Sequence, residues 1–275
     1  MRGFLKYIFS NLSTTNWLIL ANIIISVFVW ILVAAFPNLH LIESLAFSWD
    51  NLASGKIWTL ITSMFIHANF WHLAFNMFSL FFIGRFLENI IGGKRFLAFY
   101  LISGIAACLV AGVLSLIPYS RIFATPASLG VGASGAIFGL AGLLAVLIPK
   151  GKVYLIAGPL IALILEFALQ PLLPANVMYV LGFIVTIYIM ISILAIFSFN
   201  PRLRKLAVPI EMPFWMLPVI AIVPLVIIGL FVDLPIGNTA HFGGLIAGLI
   251  YGAYLRRKYK RKVKILNTFV ARQSR

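Results

Sequence analysis

One hydroxyl stands among small residues in Gly132-Ala133-Ser134-Gly135-Ala136-Ile137-Phe138-Gly139, at the mouth of an apolar run that continues to Ile148. A serine at a helix start has unpartnered backbone N–H groups and the positive end of the helix dipole beside it, which suits a developing oxyanion. Gly132 and Gly135 permit a tight turn and a close backbone approach. The chemistry this could support is acyl transfer, but a hydroxyl is a poor nucleophile at neutral pH and needs a base. Taken alone, the same residues also describe an N-cap serine with small neighbours for helix packing.

A base is available in His241, which follows Gly237-Asn238-Thr239-Ala240 at the head of another apolar run. An imidazole in an apolar helix is costly and marks a functional position. Gly244, Gly248 and Gly252 follow it at helical spacing, so all four share roughly one face. Such a stripe lets a neighbouring helix approach closely, and Gly135, Gly139 and Gly142 offer a matching small face. A third cluster runs from His67 to Asn76. His72 and Asn76 are four apart, which stacks their polar tips on one helix face. Both can donate hydrogen bonds as neutral groups, the requirement for an oxyanion hole. A metal site or a polar helix clamp are the other uses of that pair, although no third ligand is in view: Glu43 and Asp50 belong to a distant segment, and Cys108, the sole cysteine, to another apolar run. His40 has no visible partner and is expected to be solvated.

The elements that must position these groups are membrane spans. The 275-residue chain is 63% hydrophobic and 10% charged, with a mean hydropathy of +1.09. A water-soluble fold is nearer 45–50% apolar and about 25% charged, so the expected class is an all-α polytopic membrane protein. Runs able to cross a core of ~30 Å occupy 17–36, 70–91, 96–117, 133–148, 153–169, 177–199, 214–232 and 239–255, a bundle of about eight helices, with Pro159 and Pro171 making the fifth the least regular. The first run is longer than a secretory signal core and reads as a retained anchor. The expected organisation is a short cytoplasmic N-terminus over 1–16, one transmembrane domain over 17–255 and a basic cytoplasmic tail over 256–275.

Charge orients this count. The net charge is +15, but nine of the 21 Lys and Arg fall in the last 20 residues, directly after an apolar run. That placement suits a cytoplasmic flank against lipid rather than a nucleic-acid partner. With the N-terminus inside, 19 Lys and Arg lie in inner segments and only Lys56 and Arg121 in outer ones. Ser134 and His241 then start two helices that both run inward. An odd number of spans, three, separates them, so the two residues reach the same outer face. The outer segment 37–69, with Trp49 and Trp58, suits the membrane interface. A second outer loop, 118–131, leads into Ser134.

Taken together and in order, His67-x4-His72-x3-Asn76, Gly132-Ala133-Ser134-Gly135 and Ala240-His241-x2-Gly244-x3-Gly248 resemble the rhomboid family of intramembrane serine proteases. Gly84-Arg85-Phe86-Leu87-Glu88 and Tyr100-x2-Ser103-Gly104 add to the likeness, which covers 58–149 and 238–258. The resemblance implies a rhomboid-like helical bundle in the cell membrane, in which Ser134 is the nucleophile and His241 its general base. His72, Asn76 and the Ser134 backbone N–H would receive the oxyanion. It further implies supporting roles for His67, Gly132, Gly135, Phe138 and Gly244, with Phe138 where the family often has a tyrosine packed on the histidine, and makes Glu88 a buried polar tie. Substrates would be transmembrane segments of membrane proteins, cut near the extracytoplasmic face. No metal, nucleotide or organic cofactor is indicated, and the oligomeric state is not encoded in any motif. A catalytically silent relative that binds or escorts membrane clients is the alternative.

The chain departs from the family in two places. Trp58-Thr59 stands where a Trp-Arg pair is frequent, and three spans rather than one lie between the serine and histidine helices. The topology predicts that single cysteines introduced at Arg121 and Lys205, with Cys108 removed, react from opposite sides of the membrane. Labelling of both from one side would contradict the eight-span reading.

Overall fold

The computed structural model describes residues 13–118, 123–197, 200–229 and 237–273; the N-terminal segment with Arg2 and Lys6, the loop residue Arg121, Asp233 and Arg275 lie outside them. The protein is an all-α polytopic membrane protein in which long apolar helices, α1 (Thr14–Ala35), α2 (Phe70–Ile91) and α3 (Gly93–Ser115), precede a shorter helix α4 (Ser134–Leu147). After α4 come α5 (Ala157–Leu169), α6 (Ala175–Phe197), α7 (Met216–Gly229), α8 (Asn238–Lys258) and α9 (Lys260–Gln273). α1, α2, α3 and residues Ala175–Ala195 of α6 are each long and apolar enough to cross a membrane by themselves.

The first helix starts where its orphan amides find acceptors. Ser13 Oγ accepts from the Asn16 N–H, and the Glu88 carboxylate, from the far end of α2, accepts from the Thr14 and Thr15 N–H groups and the Thr15 hydroxyl at 2.7–3.0 Å. An acid at a helix N-terminus also meets the positive end of the dipole. Glu88 thereby joins the first and second spans at one membrane face. At the opposite end of these spans, the segment between α1 and α2 includes three short helices, Leu41–Leu45, Trp49–Ala53 and Thr59–Thr62. The Asn51 side chain ties it together, giving hydrogen bonds to the Glu43 and Ala46 carbonyls and receiving one from Lys56 Nζ. Trp58 Nε1 donates to the Ser44 carbonyl. His40 is paired, with Nδ1 3.5 Å from a Glu43 carboxylate oxygen, so it has the partner its sequence context did not reveal.

The stretch expected as a fifth span over 153–169 is divided. It opens as a strand, β1 (Lys152–Ile156), paired antiparallel with β2 (Pro209–Pro213), and only then becomes α5. Thirteen helical residues rise about 20 Å, short of a ~30 Å hydrocarbon core. The β-branched and aromatic residues Val153, Tyr154 and Ile156 favour the extended chain, and Glu211 fixes the register by meeting both Lys152 Nζ, at 2.6 Å, and the Tyr154 hydroxyl, at 3.0 Å. The strand pair brings the chain back to α7 beside the end of α4. α5 and α6 pack chiefly on each other and on the 201–213 segment, not on the α4–α8 core.

α8 packs most extensively on α4, then on α3. The contact is backbone to backbone: a Cβ at Gly244 would overlap the Gly135 carbonyl oxygen, and one at Gly248 would overlap that of Gly139. Gly142 sits against the Leu245 carbonyl, and Gly252 meets a side chain, Val146. Around this seam lie Leu140, Leu143 and Leu144 of α4 with Phe96 and Tyr100 of α3, all fully buried. Overpacking at such a site costs about 1–3 kcal/mol, against about 1 kcal/mol gained when Gly becomes Ala in a helix. Gly248→Ala should therefore lower the thermal midpoint in detergent, and by more than Gly252→Ala does. Equal midpoints would contradict a seam limited by backbone contact.

Candidate active site

The turn into α4 is built around Gly132, whose φ of +114° is open to glycine and strained for other residues. A side chain there would also run into the His72 ring, with Cε1 and Nε2 each 2.7 Å from the position of a Cβ, and would stand 3.8 Å from Asn76 Nδ2. Gly132 thus brings the backbone just before Ser134 down onto the two polar side chains of α2. Its N–H donates to the Ser63 carbonyl at 2.8 Å, and the Phe47–Gly130 bridge fixes the loop two residues upstream. Ser134 is the first residue of α4, so its N–H has no partner within the helix.

His241 lies four residues into α8, 8% exposed, and its Nε2 is 2.9 Å from Ser134 Oγ. The glycine seam sets that distance. Phe138, one turn after Ser134, stacks on the imidazole with ring centroids 4.3 Å apart and planes 14° from parallel. The other ring nitrogen, Nδ1, is buried without a hydrogen-bond partner. Among the described residues no carboxylate orients this ring; the stacked phenyl holds its plane. With the proton on Nδ1, Nε2 is free to accept from the Ser134 hydroxyl, which is the arrangement for proton transfer from a nucleophile to a base.

The hydrogen bonds around His72 and Asn76 define what they can donate. His72 Nδ1 faces the Ala68 N–H at 3.4 Å and acts as acceptor, so the ring proton sits on Nε2, the atom beside Gly132. Asn76 Nδ2 gives one hydrogen to the His72 carbonyl at 2.8 Å and keeps a second. Two side-chain donors therefore stand next to the turn that carries the Ser134 N–H.

His67 lies fully buried behind the turn. Ser26 Oγ donates to the Phe65 carbonyl at 3.1 Å, so the 3.0 Å contact between Ser26 Oγ and His67 Nδ1 has the imidazole as donor. His67 Nε2 then accepts the Ala133 N–H at 3.4 Å, and its carbonyl accepts from Trp30 Nε1 at 2.7 Å. Both ring nitrogens are committed to protein partners, which leaves no lone pair for a metal ion even though the His72 ring is 5.1 Å away. Burial pushes the His67 imidazole down to about 3. Sequence reasoning missed Ser26, Trp30 and Ser63. The signal available was a serine and a tryptophan four apart in an otherwise apolar first span.

The Rhomboid domain family matches residues 54–173 and 151–258, the two ranges overlapping where β1 leads into α5. The chain is similar to the putative rhomboid protease YdcA of Bacillus subtilis (strain 168), 42% identical over 91 residues, which is 33% of this chain and 41% of that protein. Rhomboid protease GluP of the same organism is 38% identical over 105 residues, 38% of this chain and 18% of GluP. Rhomboid protease AarA of Providencia stuartii is 40% identical over 96 residues, 32% of this chain and 33% of AarA. The matched region spans less than half the length of each of these curated relatives.

His67 predicts an acid-sensitive fold. Between about pH 6.5 and 3 the unfolded chain binds a proton at this position that the folded protein does not, so stability is intact above pH 6.5 and declines as pH falls. Replacing His67 with Gln removes that titration. The fall in thermal midpoint between pH 7.5 and 5 should be shallower in His67→Gln than in the parent; a parallel fall would show that His67 carries none of it.

Proposed function

The chain belongs to the rhomboid family, and on that premise we propose that it is an intramembrane serine endopeptidase that cuts transmembrane segments of membrane proteins through a Ser134–His241 dyad. The observation carrying this reading is the 2.9 Å contact between Ser134 Oγ and His241 Nε2. Ser134 Oγ attacks the scissile carbonyl carbon as its proton passes to His241 Nε2. The new alkoxide oxygen is met by the Ser134 N–H, His72 Nε2–H and the second Asn76 hydrogen. His241 returns the proton to the leaving amine, and a water deprotonated by the same nitrogen releases the acyl group.

Phe138 stabilises the transient imidazolium through its ring face, in place of a carboxylate. Family membership implies segments with small residues at the cut and helix-weakening residues below it, and the latter fit the physics: a substrate helix hides its carbonyls in internal hydrogen bonds and has to unwind before attack. The charge distribution supports a cell-membrane protein with both termini cytoplasmic and the dyad toward the extracytoplasmic face.

The test is cleavage of a model transmembrane substrate by purified protein in detergent or liposomes. Ser134→Ala and His241→Ala are each expected to lower the rate at least about 10³-fold, and Asn76→Ala about 10²–10³-fold, with thermal midpoints near that of the parent. Cleavage by Ser134→Ala at the parental rate would remove the dyad. An inactive but folded parent that retains the substrate would favour the client-binding alternative.

A further inference from the structure

The segment after α8 is a helix rather than a loose basic flank. Only Tyr259 separates Lys258, the end of α8, from α9, so the second helix starts directly after the helix that carries His241. Val263, Leu266 and Val270 face the core, and Asn267 Nδ2 donates to the Leu147 carbonyl at 2.7 Å, using one of the carbonyls left open at the end of α4. α9 is thereby tied to the end of α4.

Its opposite side is unlike a cytosolic surface. Ile265 and Phe269, four apart, are 62% and 57% exposed, and Arg261 and Arg272 fall on the same stripe. The last 20 residues hold nine Lys and Arg and no Asp or Glu. Beside the helix runs a groove of about 700 Å³ whose walls include Lys150, Arg256, Lys260, Lys264 and Arg272 over a floor at Val263. Among the described residues the salt bridges are made by Glu43 and Glu211, and neither is to these cations.

We infer that α9 is an interfacial helix and that the groove is a binding site for anionic phospholipid headgroups. Exposed apolar side chains flanked by cations, on a helix whose other face packs on the end of the bundle, are the pattern of a helix lying in the headgroup region. Five cations that pair with no acid among the described residues supply the attraction for a phosphodiester, and the apolar pair supplies the anchor among acyl chains. A zwitterionic headgroup offers no net charge to this groove. The site is independent of the proposed proteolysis and would exist in an inactive protein.

Native mass spectrometry of the purified full chain, in micelles holding phosphatidylglycerol and phosphatidylcholine of identical acyl chains, reads the site directly. The parent should retain phosphatidylglycerol selectively. K260Q/K264Q/R272Q should bind it about a hundredfold more weakly, at roughly fivefold per cation, while K94Q/R202Q/K205Q should bind as the parent does. In nanodiscs, a label at Ile265→Cys in a Cys108→Ala background should report a depth at the acyl boundary, a reading that does not depend on the charge variants folding. Equal retention of the two lipids, an unaffected triple variant or a water-exposed label would each overturn the inference. So would displacement of phosphatidylglycerol by inorganic phosphate or by RNA at equal phosphate concentration, which would mark a general phosphate or nucleic-acid surface.

Discussion

The approach of α4 and α8 is limited by backbone atoms rather than side chains, and the rest of the site depends on that limit. Gly244 lies on the carbonyl of Gly135 and Gly248 on that of Gly139, which fixes both the separation and the axial register of the two helices. Lipid offers little hydrophobic drive for such an approach, so close van der Waals contact between small residues has to supply it. Register then does the chemical work: His241 is three residues before Gly244, Ser134 one before Gly135, and their polar atoms meet at 2.9 Å. A methyl group in the seam would separate the pair without touching either residue.

Around that seam the polar atoms are arranged so that each has one role. His67 is held neutral by burial and by two directional bonds, with Ser26 on α1 and Ala133 at the turn. It couples the first span to the residue preceding Ser134. His72, one turn into α2, keeps its Nε2 proton pointed at the same turn. Of the three, His241 has the buried ring nitrogen without a hydrogen-bond partner, and a phenyl ring stacked on its face. Three histidines within one membrane face thus differ in what surrounds them, and that difference supports assigning them separate duties.

Much of this was legible in the chain. The helical spacing of Gly244, Gly248 and Gly252 marked one face, charge counting brought Ser134 and His241 to one side, and residues 132–135 announced a turn. What was hidden depended on contacts distant in sequence. Val153 to Ile156 looked like the start of a span because every residue is apolar or aromatic; only the partner strand, more than 50 residues on, makes it extended. Ser26 and Trp30 looked like tolerated polar residues in a long apolar helix until His67 was placed against them. The tail read as a charged flank because Val263, Leu266 and Val270 are diluted by cations, although their spacing is that of a helix face.

If the seam produces a serine activated by a histidine, the purified protein reacts with a fluorophosphonate. Peptide mass mapping should then find a single covalent adduct on Ser134, lost in His241→Ala protein that retains its fold. No adduct at Ser134, or an adduct formed as readily without His241, would contradict that activation.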